Sequence, residues 1–218
     1  MLEAIFWDVG GIFSARPVDV VATIAPRVGT TADQLFATVF GDYGADTDHP
    51  WHRLERGEID LATGWGEMQT RLDAAGIELT LADLFGAFGD DPTDRSIVPD
   101  TLVALHTDGV RMGIITNNVR EFSGGEGGGW HSIVPMEAIS VVVDSSAVGI
   151  RKPDPAIFRH ALAEMGVDAG SAAFVDDMPA NVEAARGVGM HGVVMGADPA
   201  AAMSELRAVT EAGGLSSP

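Results

Sequence analysis

Cysteine is absent from the 218 residues. That excludes disulfides, thiolate metal sites and cysteine nucleophiles. Lysine is nearly absent: Lys152 stands alone beside 12 arginines. A chain that places arginine wherever a surface cation will do leaves its one lysine as a candidate for chemistry that a compact point charge suits better than a planar fork. Positive charge in general is scarce, and the formal net charge is −19. Such a field repels a polyanion, so no nucleic-acid partner is expected. Long apolar runs are missing as well, so nothing reads as a membrane span. Met1 to Val9 is a short apolar stretch carrying Glu3 and Asp8, without the basic start of a signal peptide. The expectation is a soluble, cytoplasmic protein, monomeric or homodimeric.

What is present is ordinary for a globular chain: 46% hydrophobic and 21% charged residues, enough for one substantial core or a core with a small insertion. Ala4 to Val9 is an apolar strand pattern whose Asp8 meets the turn pair Gly10-Gly11. Between about residues 16 and 88 the apolar spacing is helical, over Val18 to Val28, Thr31 to Phe40, Asp60 to Leu72 and Thr80 to Phe88. Thr80 with Asp83 has the form of a capping box. After Asp90-Asp91-Pro92 strands and helices alternate. Strands are expected at Arg111 to Thr116, Ile139 to Val143, Ala172 to Val175 and Gly192 to Met195. Helices are expected at Asp100 to His106, Pro155 to Met165 and Ala180 to Val188, with a weak helix from Ala200 and a frayed end. That alternation predicts a parallel sheet covered on both faces, an α/β fold with a Rossmann-like three-layer core. Ser123 to Gly129 holds five glycines in seven residues and reads as a flexible loop, a surface connection or a flap.

Four chemically suggestive groups follow apolar strands: Asp8 before Gly10-Gly11, Thr116-Asn117-Asn118, Arg151-Lys152-Pro153-Asp154-Pro155, and Asp176-Asp177. Singly, each has a structural explanation as a turn former, a helix cap or a helix start. In a parallel sheet all four fall on the carboxyl edge, where α/β folds carry their chemistry. There, carboxylates can hold Mg²⁺, which prefers oxygen ligands. A hydroxyl, backbone amides and an ammonium can bind phosphate oxygens. A carboxylate can attack phosphorus.

These groups, in this order, resemble the four motifs of the haloacid dehalogenase (HAD) superfamily over nearly the whole chain. Phe6 to Phe13 resembles the first, Ile114 to Asn118 the second, Lys152 to Phe158 the third, and Phe174 to Ala185 with Gly189-Met190 the fourth. The helical stretch resembles the family's cap, including Trp51 to Ile59. The resemblance implies a core at residues 1–14 and 91–218 with a helical cap at 15–90. It implies that Asp8 is the nucleophile and a Mg²⁺ ligand, joined on the metal by Asp177, Asp176 and the Gly10 carbonyl. Thr116 and Asn117 would hold phosphate oxygens, with Gly10 and Gly11 beside them. Lys152 would neutralise nucleophile and phosphate together. The implied activity is Mg²⁺-dependent hydrolysis of a small phosphorylated metabolite, with a sugar phosphate as the candidate class, through an aspartyl-phosphate.

One position departs from the pattern. Many HAD phosphatases carry a second Asp two residues after the nucleophile as general acid and base; here it is Gly10. Losing a general acid typically costs roughly 10²–10⁴-fold. The loss matters least for a good leaving group, as in a sugar phosphate at the anomeric carbon or an acyl phosphate. His49 and His52 are the nearest cap candidates for a substitute, against an ordinary packing role. Trp51, His52 and Arg53 are candidate substrate contacts. Two alternatives remain: a 2-haloacid dehalogenase, which needs no metal and usually lacks the acidic pair, and a catalytically weak or non-catalytic protein keeping the fold. A dinucleotide-binding oxidoreductase is excluded, because no G-x-G-x-x-G follows the first strand.

Overall fold

The computed structural model describes residues 2–89, 92–122 and 129–212. The expected boundary at 90–91, most of the glycine-rich loop and the final tail therefore lie outside the described residues. Strand β1 (Ala4–Trp7) is followed by five helices: α1 (Pro17–Ile24), α2 (Ala32–Val39), α3 (Pro50–Glu55), α4 (Leu61–Ala74) and α5 (Leu81–Phe88). Then come α6 (Ile97–Thr107), β2 (Arg111–Thr116), β3 (Ile139–Asp144), α7 (Ser145–Val148), α8 (Pro155–Met165), β4 (Ala172–Asp176), α9 (Pro179–Gly187), β5 (His191–Val194) and α10 (Pro199–Ala212).

The described strands form one parallel sheet in the order β3-β2-β1-β4-β5. Its central strand β1 is buried along its whole length, because helices cover both faces. Side chains of a strand alternate between faces. Ile5 and Trp7 therefore enter the layer with Val98, Leu102 and Leu105 of α6 and Met203 and Leu206 of α10. Ala4 and Phe6 enter the opposite layer with Ile157, Phe158 and Ala161 of α8. Phe6 lies across β2 only because position 113 is glycine: a Cβ there would come within 2.6 Å of the Phe6 ring.

Helices α1 to α5 share a core of their own, built on Val21, Leu35, Phe40, Leu54, Met68 and Leu84. Their starts follow local chemistry. Thr31 caps α2 by accepting from the Gln34 N–H, and Asp60 caps α4 by accepting from Thr63. Thr80 and Asp83 form the expected reciprocal capping box on α5. Helix α3, a single short segment that overlaps the start of Trp51 to Ile59, is too brief to show a helical period. One expectation is corrected: Lys152 does not directly follow a strand. The short helix α7 intervenes after β3, with Asp144 accepting from the Ser146 N–H at its start.

Candidate active site

Parallel strands put all their carboxyl ends on one edge. There β1 ends one residue before Asp8, β2 ends at Thr116, and β4 ends at Asp176 followed by Asp177. The Asp8 N–H donates to the Val175 carbonyl at 2.9 Å, so the ladder holds Asp8 beside β4. The loop after α7 delivers Lys152 into the same space.

Lys152 is the hub. Its Nζ lies 2.8 Å from Asp8 Oδ1 and 2.8 Å from Asp176 Oδ2, and donates to the Ile115 carbonyl at 2.8 Å. The side chain is completely buried. Burial works against its charge, but Asp176 and Asp8 outweigh that and raise its pKa. The Asn117 side chain clamps the Lys152 peptide from both sides, accepting from its N–H at 2.8 Å and donating to its carbonyl at 3.0 Å. That commits the Asn117 amide to holding Lys152, and leaves its main-chain N–H as what it can offer a phosphate. The lone lysine of the sequence is thus the one cation in direct contact with this carboxylate cluster among the described residues.

The carboxylates differ in their needs. Asp176 is well partnered: besides Lys152, it accepts from the Met178 N–H at 2.7 Å and from Asn181 Nδ2 at 3.0 and 3.1 Å. Asp8 is 8% exposed; burial, reinforced by Asp176 and opposed by Lys152, pushes its carboxyl up to about 7. Asp177 is raised well above the usual carboxylate range by burial, then by Asp176 and Asp8. Its Oδ2 is buried and has no hydrogen-bond partner among the described residues. Carboxylate oxygens of Asp8, Asp176 and Asp177 lie within 4.8 Å of one another. Three acids facing one ammonium are short of positive charge, and an added cation would correct that.

Glycine shapes the same corner. Gly11 has φ +73°, and a Cβ on it would sit 2.3 Å from Asp177 Cγ. The Asp177 carboxylate therefore occupies the room that a side chain at position 11 would fill. A Cβ on Gly10 would meet nothing within 4 Å. The space for the missing acid is open, and no other described acid fills it.

Above these groups is a cavity of about 520 Å³. Asp8, Gly10, Thr116, Asn117, Asn118, Asp177 and Asn181 form its floor. Phe40, Tyr43, Trp51, Glu55, Phe85 and Phe88 come down from the helical segment. Of the expected contacts there, Trp51 lines the cavity. Arg53 turns to Glu67, at 2.9 Å. His52 accepts from the Thr47 N–H through Nδ1 at 3.1 Å, and burial lowers its pKa to about 4. His49 caps α3, accepting from the Trp51 N–H at 3.2 Å. Neither histidine lines the cavity, so both are packing residues and neither supplies the missing acid.

Arg151 and Glu55 form a buried pair that no sequence motif marks. Arg151, next to Lys152, is fully buried, and its Nε donates to Glu55 Oε2 at 2.7 Å. Its guanidinium also lies over the Tyr43 ring, 5.1 Å from the centroid. Glu55 Oε1 accepts from the Tyr43 hydroxyl at 2.5 Å and from Trp51 Nε1 at 2.8 Å. Ser145 of α7 adds a bond to the Glu55 carbonyl at 2.5 Å. The helical segment is thus docked beside Lys152 through a buried ion pair. An Arg and a Glu almost a hundred residues apart carry no local signal of pairing.

Comparison with known proteins places the chain in a family. The family model for haloacid dehalogenase-like hydrolases matches residues 3–189. Phosphoglycolate phosphatase of Rhodospirillum rubrum is 30% identical over 182 residues, covering 80% of this chain and 64% of that protein. Mouse acyl-CoA dehydrogenase family member 10 is 24% identical over 216 residues, 95% of this chain but 19% of that much longer protein. Among solved structures, a predicted HAD-like hydrolase from Porphyromonas gingivalis superposes with a TM-score of 0.66 at 18% identity, covering 98% of both chains. A HAD enzyme of Bacteroides thetaiotaomicron, in complex with magnesium and inorganic phosphate, does so with 0.54 at 14% identity, over 89% of this chain and 94% of that one. Sequence order, strand-edge geometry and the family match agree: this chain belongs to the haloacid dehalogenase-like hydrolases.

Proposed function

We propose that this hydrolase is a Mg²⁺-dependent phosphatase acting on a small phosphorylated metabolite, with residues 1–14 and 91–218 as catalytic core and 15–90 as cap. The observation that carries the reading is the acidic cluster: a lone lysine shared by Asp8 and Asp176, beside a buried Asp177 oxygen with no partner among the described residues. That arrangement wants a further cation, and its all-oxygen donors fit Mg²⁺. Asp8, Asp177 and the Gly10 carbonyl would hold the ion, with Asp176 steadying Lys152 at its side. When bound, Mg²⁺ would offset negative charge on the phosphoryl oxygens.

The residues supply the rest. Lys152 favours the ionised form of Asp8 and offers a positive charge to the entering phosphate. Asp8 attacks phosphorus, the bond from phosphorus to the leaving oxygen breaks, and the leaving group departs with that electron pair. Water then attacks the aspartyl-phosphate, releasing inorganic phosphate and restoring Asp8. Thr116 and the Asn117 main-chain N–H hold phosphoryl oxygens. The helical cap shields the reacting atoms from bulk water. With glycine at position 10, the leaving group goes without a side-chain acid, so the enzyme favours good leaving groups. A metal-free dehalogenase reading is disfavoured by the convergence of Asp176 and Asp177 on Asp8.

The test is turnover of p-nitrophenyl phosphate with Mg²⁺, with EDTA, and by Asp8→Asn. Hydrolysis that requires both Mg²⁺ and Asp8 is expected. Activity unchanged by EDTA or by Asp8→Asn would refute the mechanism. Halide release from 2-haloacids without metal would establish the dehalogenase instead.

A further inference from the structure

The cavity above Asp8 is polar at its floor and aromatic at its walls. Phe40, Tyr43, Trp51, Phe85 and Phe88 face it from the cap, and Trp130 from the core. The cap's polar atoms in this lining are already engaged with one another. The Tyr43 hydroxyl and Trp51 Nε1 both donate to Glu55 Oε1, and Glu55 Oε2 takes Arg151. Burial and the adjacent Glu55 carboxylate hold the Tyr43 hydroxyl protonated, its pKa raised well above the usual value. The network is closed on itself and presents ring faces and edges to the substrate space.

This has a consequence for the leaving group's body. A sugar phosphate brings several hydroxyls that lose water on entry and need replacement partners. The cap offers aromatic surface instead, which favours planar or branched apolar groups. Position 10 adds a second, independent constraint. A Cβ there would meet nothing within 4 Å, so among the described residues no side chain takes the place of the usual acid.

Building on the phosphatase reading, we propose that the substrate is a phosphate monoester of a hydrophobic, largely planar group, joined through an oxygen that leaves readily, as in an aryl phosphate. The bond between phosphorus and the aryl oxygen breaks as Asp8 bonds to phosphorus. The aryloxide leaves with the electron pair and takes its proton from water. The aromatic walls hold the ring, and Thr116 and the strand-edge amides hold the phosphate, with the Lys152 charge behind Asp8.

Calorimetric titration of the full-length Asp8→Asn protein with Mg²⁺ tests this without turnover. The probes are 2-naphthyl phosphate and glucose 6-phosphate, which share the phosphate and differ in the body. The naphthyl ester is expected to bind at least about thirtyfold tighter, and Phe88→Ser in the same background should remove about tenfold of that preference. Equal affinities, or a preference for the sugar phosphate, would overturn the proposal. So would a preference that survives Phe88→Ser, Phe85→Ser and Trp51→Ala unchanged. Acetyl phosphate, which has an excellent leaving group and no apolar body, separates the two readings. Its Asp8-dependent hydrolysis by the unmodified protein reports on the phosphatase chemistry alone. Turnover of acetyl phosphate with no naphthyl preference sinks the substrate class only; naphthyl preference with no turnover sinks the phosphatase mechanism only.

Discussion

Replacing Glu55 by glutamine should destabilise the protein far more than a surface charge change. The Arg151 side chain is fully buried and that of Glu55 is 2% exposed, with Nε and Oε2 2.7 Å apart. Glutamine keeps the shape and keeps an oxygen for Tyr43 and Trp51. It removes the charge that compensates a guanidinium whose Nη2 already has no partner among the described residues. What remains to Arg151 is the Ala45 carbonyl at 3.1 Å, the Tyr43 ring, and Asp46 at 3.7 Å. Removing one member of a buried pair typically costs about 3–5 kcal/mol. For a chain of this length each kcal/mol shifts the melting temperature by about 2–4 °C, so a fall of roughly 6–20 °C is expected. Thermal unfolding by circular dichroism at pH 7.5, without ligand, reads it directly. Because Arg151 precedes Lys152 and Glu55 belongs to the helical segment docked over it, kcat/KM should fall as well. The double variant Glu55→Leu, Arg151→Met leaves no stranded charge and should recover more than half of the lost stability. A drop below about 3 °C for Glu55→Gln would refute the reasoning, since it would put the pair in the range of solvent-screened surface bridges.

Other perturbations have equally definite outcomes. Gly10→Asp meets no steric obstacle, since its Cβ would have nothing within 4 Å. It should raise kcat/KM for alkyl phosphates about 10²-fold while leaving p-nitrophenyl phosphate nearly unchanged; equal effects on both would refute the missing-acid account. Gly11→Ala should push Asp177 out of place, because its Cβ would fall 2.3 Å from Asp177 Cγ. Calorimetry should then show Mg²⁺ affinity reduced by at least about tenfold, and retained affinity would remove Asp177 from the metal site. His52 has a depressed pKa of about 4 against an ordinary 6.5, with Nδ1 accepting from Thr47. The unfolded chain therefore binds this proton more readily than the folded one. The associated stability is present above about pH 6.5 and is lost as pH falls toward 4. Urea unfolding at pH 7.5 and 4.5, with the His52 ring followed by NMR, checks it; a His52 resonance titrating above pH 6 would contradict the burial argument.

The sequence alone was enough for the parallel architecture and the polar edge. Alternating short apolar runs and helical periods specify a covered parallel sheet, and that topology places every strand's carboxyl end on one side. Asp8, Thr116, Lys152, Asp176 and Asp177 were therefore legible as one group before any distance was known. The strand Arg111 to Thr116 and the helix Pro155 to Met165 have their expected bounds, because local periodicity and flanking turns define them. Tertiary structure decided how those groups divide their work. It turned the Asn117 amide onto the Lys152 peptide, saturated Asp176, and left an Asp177 oxygen without a partner among the described residues. It also took His49 and His52 away from the cavity and brought Glu55 onto Arg151. These are long-range choices: which donor meets which acceptor depends on how the helical segment packs on the sheet, and residues far apart in the chain carry no periodic trace of it. The aromatic residues of helices α1 to α5 and their loops show the same division. Their helical spacing announces apolar faces, but only packing decides that Leu35, Leu54 and Met68 close that segment's own core while Trp51, Phe85 and Phe88 also face the cavity above Asp8.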